Sequence, residues 1–255
     1  MISTVYVTGD CHADFHRFTT ENFPDQKEMT RDDTVIVCGD FGGVWHDSAE
    51  ERYWLKWLNK KPFTTVFVDG NHENFDRLCS DEFPVVDFHG GKAHRIRPNI
   101  YHLMRGNMFE FDGKKFWCFG GASSHDISDG IIDPSDFDSA EEFLAEVRLW
   151  CRLGKMFRIN HLSWWEQELP SRQEMDFGMQ ILEENGFKTD YIISHCCPQE
   201  VSSVLGFRGS DILTSYFNDV AHKTEFKKWY FGHYHREQDV WGKFILHYER
   251  IERIL

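Results

Sequence analysis

Five short polar clusters, each standing at the end of an apolar run, constrain this chain more than any other feature of it. They are Gly9-Asp10-Cys11-His12, Gly39-Asp40, Gly70-Asn71-His72-Glu73, Ser194-His195 and Gly232-His233-Tyr234-His235. The runs ahead of them are Val5-Tyr6-Val7-Thr8, Thr34-Val35-Ile36-Val37-Cys38, Thr65-Val66-Phe67-Val68, Tyr191-Ile192-Ile193 and Trp229-Tyr230-Phe231. A short apolar run that stops at a polar loop is the pattern of a buried strand carrying side chains to the rim of a sheet. Five deliveries of Asp, Asn and His point to one metal site, assembled from loops on a rigid scaffold. A single Asp-x-His or His-x-His arises easily by chance, but five clusters in order, each closing a strand, do not.

The first three strand ends alternate with helical stretches. Residues 14–22 suit a short helix and 49–60 a stronger one, which Ser48 and Glu51 open as a capping box in which each reaches the other's backbone N–H. Residues 73–79 suit a helical turn. This β-α-β-α-β order argues for parallel strands with a site at their carboxyl ends. Further on, 92–103, 108–111 and 115–120 read as shorter strands, with Asp112-Gly113 as a hairpin turn. Residues 123–134, rich in Ser, Asp and Gly, read as a loop, and 138–158 as a helix capped by Asp138 or Ser139. Ser171 and Glu174 open another helix, which ends near Gly186. No repeat or linker interrupts the chain, so 1–255 reads as one α/β domain, with 255 residues at 41% hydrophobic content sufficing for a full core. The 23 Phe and nine Trp predict an aromatic core, in keeping with two sheets face to face.

A formal net charge of -14 with no Lys/Arg cluster argues against long nucleic acid and anionic membranes as partners. Metal ions can still supply the positive charge that a phosphate needs. Seven cysteines at irregular spacings do not make a disulfide framework. The first strand begins almost at Met1, leaving no room for a signal peptide, and no run approaches a membrane span. The expectation is a reduced, cytoplasmic protein.

Alternate residues of an extended segment face alike, so Asp10 with His12, and His233 with His235, can each grip an ion together. The Asp40 carboxylate can bridge two cations, Asn71 offers an amide oxygen and His195 an imidazole nitrogen. Mixed N and O ligands suit Mn, Fe, Zn, Ni or Co better than Ca or Mg. Two ions about 3.5–4 Å apart can share a hydroxide and clamp a phosphoryl group during in-line displacement. His72 follows Asn71 and points the other way in an extended segment, which suits a general acid for the leaving oxygen rather than a ligand.

The arrangement resembles the calcineurin-like metallophosphoesterase superfamily, whose pattern is Asp-x-His, Gly-Asp, Gly-Asn-His-Asp/Glu, His and Gly-His-x-His in that order. From Asp10 to His235 the resemblance spans nearly the whole chain. It implies a four-layer α/β/β/α sandwich of two mixed β-sheets flanked by helices. It implies one metal held by Asp10, His12, Asp40 and His235, a second held by Asp40, Asn71, His195 and His233, and His72 as proton donor. Gly39-Asp40-Phe41-Gly42-Gly43, Asp69-Gly70-Asn71-His72-Glu73-Asn74-Phe75, Leu103-Met104-Arg105-Gly106, Gly120-Gly121-Ala122 and Trp164-Trp165 are similar to a bacterial and phage branch. Two departures stand out. Ala13 replaces a frequent Gly, and Gly43-Val44-Trp45 occupies the stretch where protein serine/threonine phosphatases carry Asp and Arg, which weighs against a protein phosphatase. Segment 127–160 is longer than is usual in the branch and reads as an insertion near the site mouth.

The reading is therefore a binuclear-metal phosphoesterase for a phosphomonoester or small phosphodiester, attacked by a metal-bridging hydroxide. Nucleotide phosphodiesterase or nuclease is one alternative. A metal-binding scaffold without turnover is another, although no ligand position is eroded. Asn71, Arg105 and Arg236 are candidate substrate contacts; a structural salt bridge is the competing role for Arg105. Cys11 should face away from the ligands, and Cys196 and Cys197 read as buried thiols. Trp164 and Trp165 suit either ring stacking or loop anchoring. Glu73 and Asp76 are candidates for orienting His72.

Overall fold

The computed structural model describes residues 3–255. Its strands are β1 (Val5–Thr8), β2 (Thr34–Val37), β3 (Thr64–Phe67), β4 (Val85–Phe88), β5 (Gly91–Arg97), β6 (Ile100–Leu103), β7 (Met108–Phe111) and β8 (Lys114–Phe119). They continue with β9 (Gly130–Ile132), β10 (Phe157–Ile159), β11 (Tyr191–Ser194), β12 (Lys228–Phe231), β13 (Gln238–Val240), β14 (Phe244–Leu246) and β15 (Glu252–Arg253). One sheet has the order β15-β1-β2-β3-β6-β5-β4 and a second β13-β14-β12-β11-β8-β7. Both are mixed: β1, β2, β3 and β6 run parallel in the first, and β8, β11, β12 and β14 in the second, with antiparallel strands outside them.

Period-two alternation makes four layers from this pair. Val5, Val7, Ile36, Cys38, Val66 and Val68 of the first sheet meet Phe109, Phe111, Phe116, Cys118, Ile193 and Tyr230 of the second in one buried cluster. The residues between them face outward. Tyr6, Val35, Val37 and Phe67 pack with Leu55 and Leu58 of helix α1 (Ala49–Leu58). Trp117, Phe119, Ile192, Trp229 and Phe231 pack under the second sheet's helices, a short α2 (Phe75–Leu78) having preceded them on the first sheet's side. These are α4 (Arg172–Glu184), α5 (Gln199–Val204) and α6 (Ile212–Lys223), which follow α3 (Ala140–Arg152) in the chain. The expected α/β/β/α sandwich is what forms. Burial on both faces explains why the strands read as unbroken apolar runs.

Local expectations fare unevenly. Ser48 caps α1, but Glu51 does not close the box: its Oε2 accepts from the N–H groups of Trp45, His46 and Asp47. Ser171 and Glu174 do form the full reciprocal box. Residues 14–22 give only a 3-10 turn, His16–Phe18. Residues 92–103 split into β5 and β6. In place of one helix over 138–158 come α3 and then β10, which pairs in parallel with β9 to make a small sheet of its own inside 127–160. No helix among the described residues is long and apolar enough to cross a membrane, and all seven cysteines are free.

Candidate metal centre

The five clusters meet at the carboxyl ends of both sheets, β1, β2 and β3 supplying Asp10, His12, Asp40, Asn71 and His72 and β11 and β12 supplying His195, His233 and His235. Metal-binding atoms of Asp10, His12, Asp40 and His235 all lie within 4.8 Å of one another. His235 Nε2 is 3.1 Å from Asp10 Oδ2 and 3.1 Å from His12 Nε2, which is 3.6 Å from Asp40 Oδ2. A second group shares Asp40 through its other oxygen: His195 Nε2 lies 3.3 Å from Asp40 Oδ1 and 3.2 Å from Asn71 Oδ1. The His233 ring stands edge-on to His195, centroids 4.9 Å apart. All seven residues expected as ligands are thus brought together, in two neighbouring groups joined at Asp40.

Extended geometry is not what pairs them. The strands have ended before each cluster, and His12, Asp40, His233 and His235 have φ of 46, 44, 72 and 48°, in the left-handed region. Such backbone costs on the order of 1–3 kcal/mol per residue and persists only where its surroundings over-determine it. Here they do. Cys11 and His12 both donate their N–H to the Asp40 carbonyl, at 3.0 and 2.7 Å. His72 N–H donates to Asp40 Oδ1 at 2.8 Å and His233 N–H to Asp10 Oδ1 at 2.9 Å. Glu73, fully buried, accepts from the Phe41 and Gly42 N–H groups. Arg17 holds the carbonyls of Gly9 and Asp10.

The motif glycines make room. A Cβ on Gly70 would sit 2.0 Å from Asp40 Oδ1, and one on Gly232 would sit 2.1 Å from Asp10 Oδ1. In each case a candidate ligand from another strand lies across the glycine, so no larger residue fits there without a shift.

The donor set fits cations. His195 Nδ1–H donates to the Cys38 carbonyl at 2.8 Å, which turns Nε2 towards the oxygens of Asp40 and Asn71. Asn71 Nδ2 donates to Ser124 Oγ, whose hydroxyl donates to the buried Glu168 at 2.6 Å, and this fixes Oδ1 on the side of His195. Three acceptors converging in a buried pocket are tolerated only around a proton or a cation. Burial alone would lower His195, but the Asp40 and Asp10 carboxylates outweigh it and push the ring up to about 10. Burial would likewise raise Asp40, yet the His195 ring, with His72 and His12, holds it well below the usual carboxylate range.

His72 stands 5.1 Å from the His12 ring, at the edge of the donor groups and not among them. Burial lowers it to about 4; Asp40 opposes this, and Arg158 adds to the lowering. Neither Glu73 nor Asp76 orients it: Glu73 holds the 41–42 turn and Asp76 binds His161 and Trp165. Its side-chain neighbour is Arg158, whose Nη1 and Nη2 lie 3.3 Å from Nδ1 and Nε2.

Arg105 does not line the centre. It is 7% exposed and bound to Asp69 through Nε at 2.9 Å and Nη2 at 2.5 Å, and Nη2 also donates to the Gln167 carbonyl. The salt bridge, not a substrate, takes its fork. Arg236 follows His235 on the surface, donating to the Leu205 carbonyl at 3.3 Å and lying over Phe207. Cys11 is buried in the apolar layer, its thiol pushed up to about 12 by burial, and Cys196 and Cys197 are buried too. Trp165 packs edge-on against Trp45, anchoring its loop. Sequence reasoning passed over Arg17, Ser124, His125 (whose ring is 4.5 Å from that of His233), Arg158 and Glu168. Ser124 had a signal in its place just after Gly120-Gly121-Ala122, and Arg158 had a coarse one in the 127–160 insertion read near the site mouth.

A family model described as calcineurin-like phosphoesterase matches residues 3–237. Among curated proteins, the chain is 28% identical over 145 residues to lariat debranching enzyme A of Xenopus laevis, covering 51% of this chain and 26% of that protein. It is 26% identical over 175 residues to the lariat debranching enzyme of Caenorhabditis briggsae, covering 62% and 32%. For that of Homo sapiens the figures are 25% over 152 residues, 53% and 26%. The matched region thus spans about a quarter to a third of the length of these relatives.

Proposed function

Because the chain belongs to the calcineurin-like phosphoesterase family, we propose that it is a two-metal phosphoesterase that cleaves a small phosphodiester or phosphomonoester. The observation that carries this reading is the pair of donor groups sharing the two oxygens of Asp40. Asp10, His12, Asp40 and His235 would hold one ion, and Asp40, Asn71, His195 and His233 the other. When bound, such ions lower the pKa of water and offset charge on phosphoryl oxygens. Mixed imidazole and carboxylate donors favour manganese, iron or zinc.

The chain's own residues supply the rest. The His195 N–H bond to Cys38 and the Ser124–Glu168 relay behind Asn71 keep lone pairs aimed at the centre. His72 rests as a neutral ring, and an anionic ester seated against it favours the protonated form that can pass a proton to the leaving oxygen. Debranching a lariat cuts a phosphodiester, so the relatives favour the diester form of the reaction. The net charge of -14 favours a nucleotide-sized ester over a long strand. Seven free thiols support a reducing, cytoplasmic setting.

Purified protein loaded with Mn²⁺ and assayed on bis-p-nitrophenyl and p-nitrophenyl phosphate tests the reading. Turnover of at least one ester, abolished in Asp40→Ala, is expected. Rates no higher than those of Asp40→Ala on both would end it.

A further inference from the structure

We propose that Arg158, carried by β10 of the inserted segment, is a substrate-binding residue that grips a non-bridging oxygen of the phosphoester beside His72. This rests on the phosphoesterase reading above, and the metal ligands are not part of it.

The observation is a guanidinium in a fixed place with donors to spare. Nε donates to Asp126 Oδ1 at 2.7 Å and Nη1 to the Ser163 carbonyl at 2.9 Å. Strand pairing sets Arg158 opposite Ile131, so the side chain starts from a defined register. Its two terminal nitrogens then face the two ring nitrogens of His72. A guanidinium has five N–H donors and no acceptor, while a neutral imidazole has one accepting nitrogen. One N–H goes to Asp126, one to Ser163 and at most one is accepted by His72. Two remain without a protein acceptor among the described residues, at the edge of the group that would protonate a leaving oxygen. The side chain is 13% exposed, held but reachable.

The chemistry of that gap is an anion with paired oxygens, the match for an arginine fork. Of the other arginines near the centre, Arg17 is committed to backbone carbonyls of the first loop, Arg105 is committed to buried Asp69, and Arg236 lies on the surface over Phe207, donating to the Leu205 carbonyl. Gly43-Val44-Trp45 offers no charge after Asp40. The insertion thus brings a positive group to an acidic chain from 86 residues beyond His72.

Titration of Mn²⁺-loaded protein with inorganic phosphate by calorimetry tests this, comparing wild type with Arg158→Gln and Arg158→Lys, each checked by thermal melting. Arg158→Gln should bind phosphate about 10- to 100-fold more weakly, the worth of one charge-assisted hydrogen bond. It should raise KM for bis-p-nitrophenyl phosphate by a similar factor and leave metal content unchanged. Arg158→Lys, which keeps the charge without the fork, should recover only part of the loss. Equal phosphate affinity in wild type and both variants overturns the proposal, also where kcat alone falls, since that marks a residue that only orients His72. A wild type that binds phosphate but turns over neither ester defeats the phosphoesterase reading, and the titration still decides Arg158.

Discussion

Replacing Gly70 by alanine is the sharpest perturbation of the centre, because the obstacle is a candidate ligand itself. The added Cβ would lie 2.0 Å from Asp40 Oδ1 and 2.5 Å from the Asp40 backbone nitrogen. Reaching an ordinary contact of 3.4 Å requires a displacement of about 1.4 Å. Asp40 cannot give that much alone. Its Oδ1 accepts from the His72 N–H, its carbonyl accepts from two N–H groups of the Asp10–His12 loop, and its φ is already left-handed. The shift therefore propagates to three of the five loops. Overpacking of this kind costs about 1–3 kcal/mol of stability, while a misplacement of 1 Å at a reacting centre costs about 100-fold in rate. Gly70→Ala should therefore remain folded, with a modestly lowered melting temperature, and lose at least about 100-fold in turnover together with bound metal. Elemental analysis of protein purified without chelator, set beside initial rates, reads both. A Gly70→Ala protein with the wild-type metal content and rate would show that Asp40 is not where the cations are held, and the site reasoning would fall with it.

Three further outcomes follow from the same geometry. His72→Gln should keep its metal and lose rate chiefly on esters with poor leaving groups, seen as a steeper dependence of kcat on leaving-group pKa; metal loss would make His72 a ligand instead. Arg105→Met should destabilise the fold by about 3 kcal/mol in urea unfolding, because it leaves the buried Asp69 carboxylate with His102 Nε2 as its remaining side-chain partner and no full positive charge; unchanged stability with a raised KM would return Arg105 to the substrate. With the His195 ring pushed up to about 10, the metal-free protein carries that proton at neutral pH, so binding should release about one proton per chain from this residue. Calorimetry in buffers of different ionisation heat measures it. The sign for stability follows: the folded value lies above the ordinary 6.5, so His195 stabilises the metal-free fold fully below pH 6.5 and loses this as pH rises through about 10. A metal-free melting temperature that climbs over that range would contradict the pairing.

Which parts were legible in the sequence has a physical explanation. The convergence of the seven candidate ligands was, because Asp, Asn and His are among the side chains that offer a cation an oxygen or nitrogen, and a doubly buried strand must be apolar up to the residue where it leaves the sheet. The manner of their pairing was not. Left-handed backbone at His12, Asp40, His233 and His235 replaces the extended alternation that the sequence suggested; Asp and His tolerate a positive φ better than most residues, but too few of them adopt it for the type alone to mark the position. Helix α6 went unread because Asp211 and Thr214 close its box without a Glu or Gln. Edge strand β4 leaves Val85 half exposed and so shows no run. Arg105 looked functional for standing in a motif-like stretch. Its partner Asp69 stands in another, and the two bind each other. Arg158 reaches His72 across a small sheet folded within one segment, a contact that no local pattern encodes.

The division of ligands between sheets bears on how the centre is kept in order. The first sheet brings the carboxylates of Asp10 and Asp40, and the second brings His195, His233 and His235. Closing the sandwich therefore sets negative groups against imidazoles, at 3.1 Å for His235 with Asp10 and 3.3 Å for His195 with Asp40. With protons on those rings the seam holds as ion pairs; divalent cations, bound as proposed, would take the place of those protons between the same oxygens and nitrogens. Donors already set 3.1 and 3.3 Å apart across the seam would limit the reorganisation that metal binding costs. Two divalent ions held against two carboxylates, as proposed, would also reverse the local charge. An acidic chain would thereby present a positive centre to an anionic ester, with Arg158 beside it and a net charge of -14 discouraging polyanions elsewhere.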